Sequence, residues 1–304
     1  MNARAGAASL HLSSKQTREL VDRYRVVDGR GFRLKHHDPA DVAGHLVAHD
    51  QANALLADGV ERLTRLQQKL YAQDRWALLC VLQAMDAAGK DGTIKHVMSG
   101  VNPQGVQVTS FKAPGPESLE HDFLWRCVVA LPARGHIGIF NRSHYEEVLV
   151  VRVHPEILQT QRLPPELVGK KLWQHRFESI VDFERHLSRQ GIVVLKFFLH
   201  LSREEQRRRF LARLEDRDKY WKFSAADLRE RAFWDQYQQV YEEAICATAA
   251  PHAPWFVVPA DNKWFSRLVV VEAIIDALDA LDLSVPQPSA KELAALEAAR
   301  RELT

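Results

Sequence analysis

R-W-A-L-L-C-V-L-Q-A-M-D-A-A-G-K-D-G-T-I-K-H, residues 75–96, reads as a strand, a turn and the start of a helix, in that order. The apolar run at 76–82 suits a buried strand, small residues then permit a sharp turn, and from Lys90 the composition is helical. A phosphate-binding loop requires that order. Small residues let backbone N–H groups approach an anion, a helix N-terminus aims its positive dipole end at the same point, and Lys90 adds a full charge. The fit to G-x-x-x-x-G-K-[ST] is incomplete: the first glycine position falls on Ala84 and the hydroxyl position on Asp91. The same pattern also serves an ordinary strand-turn-helix corner. Asp86 argues for the anion site, because a carboxylate among phosphate-seeking groups is repelled unless a cation such as Mg2+ lies between them.

The chain around this stretch has 304 residues, 46% hydrophobic and 26% charged, with a formal net charge of +2. That balance fits an ordinary globular protein and excludes a global polyanion-binding surface, so any anion site must come from local clustering. The three cysteines, Cys80, Cys127 and Cys246, form no C-x-x-C pair and read as free thiols. The N-terminus lacks a continuous apolar stretch, and the best apolar run, 192–201, contains Lys196 and His200. The expectation is a reduced, cytoplasmic, soluble protein with no membrane or nucleic-acid partner.

Periodicity extends the reading in both directions. Residues 16–24 read as a short helix, and 41–70 as a long one with Leu55, Leu56, Val60, Leu63, Leu66 and Leu70 on one face. Strands are expected at 76–84, 107–111, 137–140, 192–199 and 255–259. Helices are expected at 90–99, 117–130, 144–150, 165–190, 202–215, 225–248 and 263–281. Strands alternating with helices imply an α/β fold whose parallel sheet is covered on both faces, a three-layer α/β/α arrangement. The division is a tail and helical extension at 1–70, a core at 71–283 and a linker with a last helix at 284–304, which would pack on another subunit. Ser202-x-x-Glu205 fits a capping box, and Ser224-x-x-Asp227 resembles one.

Ligands of an open parallel sheet bind beyond the carboxyl ends of its strands. Four segments put polar residues there: the loop 86–92, the run 111–116, the segment 141–147 and the basic helix after 192–201. The third offers Asn141 where a Walker B aspartate would stand, and Glu146 and Glu147 could supply the missing charge or simply favour a helix N-terminus. The fourth carries Arg203, Arg207, Arg208, Arg209, Arg213, Arg217, Lys219 and Lys222, with Phe210, Leu211 and Leu214 as its expected buried stripe. Arg203 and Arg207 read as a solvated face paired with Glu204 and Glu205. Arg208, Arg213, Lys219 and Lys222 read as a helical lid, about 202–235, that covers a transferring phosphoryl group. His45 and His49 have metal-ligand spacing but no nearby third ligand, and no H-E-x-x-H or G-x-S-x-G occurs.

Together these segments resemble polyphosphate kinase family 2, and its third class in particular. The resemblance is carried by F-R-L-K (32–35), M-D-A-A-G-K-D-G-T-I-K-H (85–96), S-G-V-N-P-Q-G-V (99–106), H-D-F-L-W-R (121–126) and F-N-R-S-H-Y-E-E-V-L (140–149). It continues through D-K-Y-W-K-F-S (218–224), A-P-W-F-V-V-P-A (253–260) and D-N-K-W-F-S-R (261–267), so that it spans roughly residues 20–283. It implies a P-loop kinase core and Mg2+-dependent movement of phosphoryl groups between inorganic polyphosphate and ADP, ATP or AMP, in a homodimer or homotetramer. Residue by residue, it implies Asp86 as the loop aspartate, Lys90 as the phosphate-binding lysine and Arg142 as the Walker B arginine, within the loop residues Ala87, Ala88, Gly89, Asp91 and Gly92. It places lid cations at Arg208, Lys219 and Lys222, and an acidic residue near the metal at Glu146. Ala84 and Asn141, in place of a glycine and an aspartate, fit the third class. Phe111, Lys112 and Asp122 fall on the nucleotide side by position. An ATP-dependent nucleoside monophosphate kinase and a non-catalytic nucleotide or polyanion sensor are the alternatives. Asp91 after the lysine weighs against the first, and the presence of Asp86, Lys90 and Arg142 against the second.

Overall fold

The computed structural model describes residues 11–44, 46–222 and 224–304, without the side chains of Lys219 and Lys222. The calls on His45, Lys219 and Lys222 as side chains therefore lie outside the described residues. Helix α1 (Ser14–Tyr24) starts at a capping box in which Ser13 and Gln16 satisfy each other's backbone amides, and strand β1 (Arg25–Val26) follows without a break. The expected helix at 41–70 begins only at Ala52, as α2 (Ala52–Gln73). Asp41 explains the delay: its carboxylate takes the amide of Ala43 and is held by Arg23 at 2.8 Å and Tyr24 at 2.9 Å, and Ala43 adopts φ +44°. A local side-chain bond has displaced the helical one.

Strand β2 (Ala77–Gln83) leads into α3 (Lys90–Val97), then β3 (Val106–Ser110). The helix expected at 117–130 is two single turns, α4 (Pro116–Leu119) and α5 (Trp125–Val128), interrupted where Asp122 accepts the Leu124 amide at 2.9 Å. After β4 (Ile137–Asn141) the chain makes a 3-10 turn at His144–Val148, capped by Ser143, and the short α6 (Val150–Val153). Helix α7 (Leu172–Arg189) is shorter than expected because the prolines at 164 and 165 start a separate turn. Strand β5 (Ile192–His200) and helix α8 (Arg203–Glu215) follow. The helix expected at 225–248 breaks at Phe233 into α9 (Ala225–Ala232) and α10 (Trp234–Thr248). The chain ends with β6 (Trp255–Pro259), α11 (Lys263–Asp279) and α12 (Ala290–Leu303), which buries none of its residues within the chain.

The strands lie in the order β1-β6-β5-β2-β4-β3. Five run parallel, as expected; β1 pairs antiparallel with β6 through Arg25 and Val26, so the sheet is mixed. Two residues are too short to show a period of two, and β1 left no sequence signal. Central β2 alternates its buried side chains between two apolar layers. Leu78, Cys80 and Leu82 face the layer built with α1, α2, α3 and α11, whereas Leu79 and Val81 face that of α7 and α10. In α2, a Cβ on Gly59 would meet Val271 of α11 at 3.0 Å, so the missing side chain lets the two helices approach closely. Among the described residues no helix is long and apolar enough to cross a membrane.

On the α7–α10 side, Lys196 of β5 and Glu184 of α7 form a 2.6 Å ion pair with side-chain exposures of 0% and 1%. The Tyr145 hydroxyl donates to Glu184 at 2.8 Å, and Lys196 also donates to the Thr248 carbonyl at 2.8 Å. Burial pulls the Lys196 ammonium below its ordinary pKa; at Glu184, burial is outweighed by the charge and hydrogen bonds of Lys196 and His144 together, which hold the carboxyl below its ordinary value. Replacing one member strands the other charge. Lys196→Met should destabilise the fold by about 3–5 kcal/mol, while Lys196→Met with Glu184→Leu should recover most of that loss, as read by urea titration of both variants. A single variant as stable as the parent would show that the pair is not needed to satisfy the buried charge.

Candidate functional site

Between β2 and β4 the chain connections leave the sheet in opposite directions, since β4 lies on one side of β2 and β5 on the other. That opens a crevice at their carboxyl ends, and the loop 84–89 occupies it. Two of its residues take left-handed backbone angles: Ala87 at φ +64° and Gly89 at φ +106°. The first is a strained position for a residue with a Cβ, the second an ordinary one for glycine. Gly89 caps α3, so the free N–H groups of that helix start at the loop. Lys90 donates to the carbonyl of Ala84 at 2.8 Å, and burial lowers its pKa against the pull of the Asp86 charge.

At the end of β4, Arg142 is also left-handed, with φ +65°, and its amide donates to Leu82 at 3.0 Å. Its guanidinium lies 3.5 Å from the Asp86 carboxylate. Burial works against the Arg142 charge, but Glu146 and Asp86 together raise its pKa. The two departures from the usual phosphate-loop pattern touch each other: the Asn141 amide donates to the Asp91 carboxylate at 2.7 Å. An aspartate at 141 would put two carboxylates face to face there, so the amide and the acid form a matched pair.

A cavity of about 450 Å³ opens beside these groups. Asp86, Arg142 and Glu146 are among its polar lining residues, and Leu119, Val151 and Ile157 among its apolar ones. Lys112 and Arg126, from the segment after β3, and Gln206, Asp227 and Arg231, from α8 and α9, also line it. Burial pushes the Glu146 carboxyl above its ordinary value; Arg142 and Lys90 oppose that, and Asp86 adds to it. Two carboxylates facing one space suit a divalent cation. Mg2+ commonly takes one or two carboxylates and completes its shell with phosphate oxygens and water. Among the described residues no group of three or more His, Cys, Asp or Glu is arranged to hold a metal. Glu147 is committed elsewhere, to Arg176 at 3.2 Å and Gln161 at 2.6 Å.

Other expected site residues lie away from the cavity wall. Phe111 is buried edge-on against Phe140 at 4.9 Å, and it supports Arg126, whose guanidinium lies over the ring at 5.5 Å. Asp122 borders a smaller adjoining cavity of about 90 Å³. Arg208 is 67% exposed and paired with Glu205, while Arg213 pairs with Asp227 at 3.6 Å. Of the expected apolar stripe of α8 only Phe210 is buried: Leu211 and Leu214 are exposed, and Glu205, Gln206 and Arg209 complete the buried face. That face is polar because it meets backbone oxygens. Gln206 donates to the Asp86 carbonyl at 2.9 Å, and Arg209 donates to those of Ala87 at 3.0 Å and Ala88 at 2.8 Å. The one sequence signal for this was the i,i+4 spacing of Glu205 and Arg209, which pairs them at 2.7 Å.

The family model of polyphosphate kinase 2 matches residues 47–286. An ADP-polyphosphate phosphotransferase of Rhodopseudomonas palustris is 51% identical over 87% of this chain and 91% of its own length. An AMP/ADP-polyphosphate phosphotransferase of Meiothermus ruber is 44% identical over 88% of this chain and 96% of its own. The crystal structure of polyphosphate kinase 2 from Arthrobacter aurescens superposes with a TM-score of 0.83 at 41% identity, covering 92% of this chain and 96% of that one. The loop 84–89, the Asp86–Arg142 contact and the cavity thus sit in a chain that belongs to the polyphosphate kinase 2 family.

Proposed function

We propose that this protein transfers phosphoryl groups reversibly between inorganic polyphosphate and the nucleotides ADP and AMP, with Mg2+, as a homodimer or homotetramer. The observation that carries the reading is the convergence of Asp86, Arg142 and Glu146 on one cavity beside the Lys90 loop. The acceptor is a nucleotide phosphate oxygen, already ionised at neutral pH, so the work is positioning and charge stabilisation rather than strong base catalysis. Lys90 and the loop amides hold the transferring group. Arg142, fixed by its strained backbone, faces the charge that builds on the equatorial oxygens. Asp86 and Glu146 would hold Mg2+, which would supply positive charge to offset that of the phosphates. Lys112 and Arg126 would meet the nucleotide, and the apolar lining of the cavity by Leu119, Val151 and Ile157 suits a base. Lid cations at 208, 213, 219 and 222 face the longer anion when the lid closes.

Lys90→Ala should fold but lose turnover on the order of 10²-fold or more, because a charge-assisted contact to the transferring group is gone. The check is kcat with polyphosphate and ADP; a near-normal value would remove the loop from the mechanism.

The acceptor range is tested separately, because the two relatives above differ in name at this point, one being called an ADP and the other an AMP/ADP phosphotransferase. Asn141 removes a fixed carboxylate beside the transferring group, and Glu146 returns one from a turn away, an arrangement that suits acceptor phosphates at two depths. With AMP, Mg2+ and polyphosphate and no added ADP, chromatography over time should show ADP first and ATP later. A reaction that stops at ADP, or leaves AMP untouched, would confine the enzyme to one step. Product from ATP and AMP but none from polyphosphate would favour the nucleoside monophosphate kinase reading.

A further inference from the structure

The side chain of Gln206 is 1% exposed and hydrogen-bonded at both ends. Its amide nitrogen donates to the Asp86 carbonyl at 2.9 Å, in the phosphate loop. Its amide oxygen accepts from Arg231 of α9, in the lid, at 2.8 Å. The same Arg231 nitrogen donates to the Arg203 carbonyl at 2.8 Å, which sets Arg231 against the first turn of α8. Beside this chain of contacts, Arg209 holds the Ala87 and Ala88 carbonyls. A planar peptide carries its oxygen and the following N–H on opposite sides. Fixing the oxygens of Asp86, Ala87 and Ala88 therefore fixes the directions of the next three amides; that of Ala88 is given to the Met85 carbonyl at 3.3 Å, which leaves those of Ala87 and Gly89 for an anion. Arg209 is rooted in α8 and in the end of β6, through Ala260 and Asp261, so its hold does not depend on α9. Gln206 is different, because one of its two partners belongs to the lid.

We infer that Gln206 is a positioning residue that relays the placement of the lid to the phosphate loop: with Arg231 seated, the Gln206 amide is held so that its nitrogen faces Asp86, and the loop amide that follows is set for the anion. Without Arg231 the Gln206 amide can rotate, and the Asp86 carbonyl loses a fixed donor. This rests on the phosphotransfer reading above, since it assigns the loop its role in that reaction. Asp86 is where the effect would be felt, because its carboxylate lies 3.5 Å from Arg142.

The test is a double-mutant cycle with a second, activity-independent readout. Arg231→Leu and Gln206→Leu should each lower kcat about tenfold, and the double variant should be no slower than Gln206→Leu alone, because both remove one path. Gln206→Glu keeps an acceptor for Arg231 but offers the Asp86 carbonyl no donor, so its kcat should fall as far as that of Gln206→Leu. Arg229→Leu, also in α9 but exposed, serves as the control and should leave kcat unchanged. Effects that multiply in the double variant, or a Gln206→Glu enzyme with parental kcat, would overturn the relay. Amide hydrogen exchange over residues 84–89 should quicken in Arg231→Leu and Gln206→Leu and not in Arg229→Leu. Unchanged loop exchange in Arg231→Leu, a half-buried surface position that leaves the core intact, would also overturn it. If the parent makes no product from polyphosphate and ADP, the substrate reading fails by itself, and exchange alone then decides the relay.

Discussion

One guanidinium organises the carboxyl edge of the sheet. Arg209 donates to Glu205, to the carbonyls of Ala87 and Ala88 and to those of Ala260 and Asp261, so its donors tie together α8, the phosphate loop and the end of β6. A carbonyl at a strand end or a tight turn has no ladder partner, and leaving several of them buried without donors would cost about 1–3 kcal/mol each. The planar fork of arginine can serve both neighbouring segments at once, which a lysine ammonium cannot match in geometry. Burial lowers the Arg209 pKa to about 10, still well above neutrality, so the cation persists where it is needed. The loop's shape, and with it the placement of Asp86 and Lys90, depends on this side chain before any ligand arrives.

The site built on that edge mixes charges deliberately. Asp86 and Glu146 stand among Lys90, Arg142, Lys112 and Arg126; against burial at Lys90 and Arg142, and along with it at Glu146, the Asp86 charge raises the affinity for protons. Carboxylates in the same space as these cations would repel a phosphate unless a cation lay between them, so the mixture of charges selects against a bare anion. The Asn141–Asp91 contact belongs to the same balance. It lets the chain carry an acid at the position usually given to a hydroxyl without setting two anions against each other.

Much of this was legible in the residues themselves. The strand-loop-helix order at 75–96 was readable because the apolar run, the small residues and Lys90 each have a local signature, and β6 was placed to the residue. What failed did so where a local side-chain bond displaces a helical one, where an element is too short to carry a period, or where tertiary contacts decide which face is buried. Asp41 stops a helix that the apolar spacing continued, Asp122 divides another, and β1 is too short to carry a period. In α8 the leucines suggested the buried side, yet the buried face is Glu205, Gln206 and Arg209 with Phe210. Sequence alone ranks arginines by number and neighbours. It has no means of telling Arg209, pressed against backbone oxygens, from Arg208, which faces solvent.

The antiparallel pairing of β1 with β6 has a temporal side as well. Arg25 and Val26 pair with Phe256 and Trp255, Thr17 donates to Glu272 across 255 residues of sequence, and Arg25 is ion-paired to Asp276. The first helix of the described chain therefore gains its docking partners only after the last strand and α11 have been synthesised. On a ribosome, which releases the chain from the N-terminus onward, residues 12–26 wait while the central strands β2, β4 and β5 assemble. Contacts of such long sequence separation are slow to form and cooperative once made. The α1–β1 segment and the β6–α11 segment thus close the sheet together, and losing either one unfastens the other.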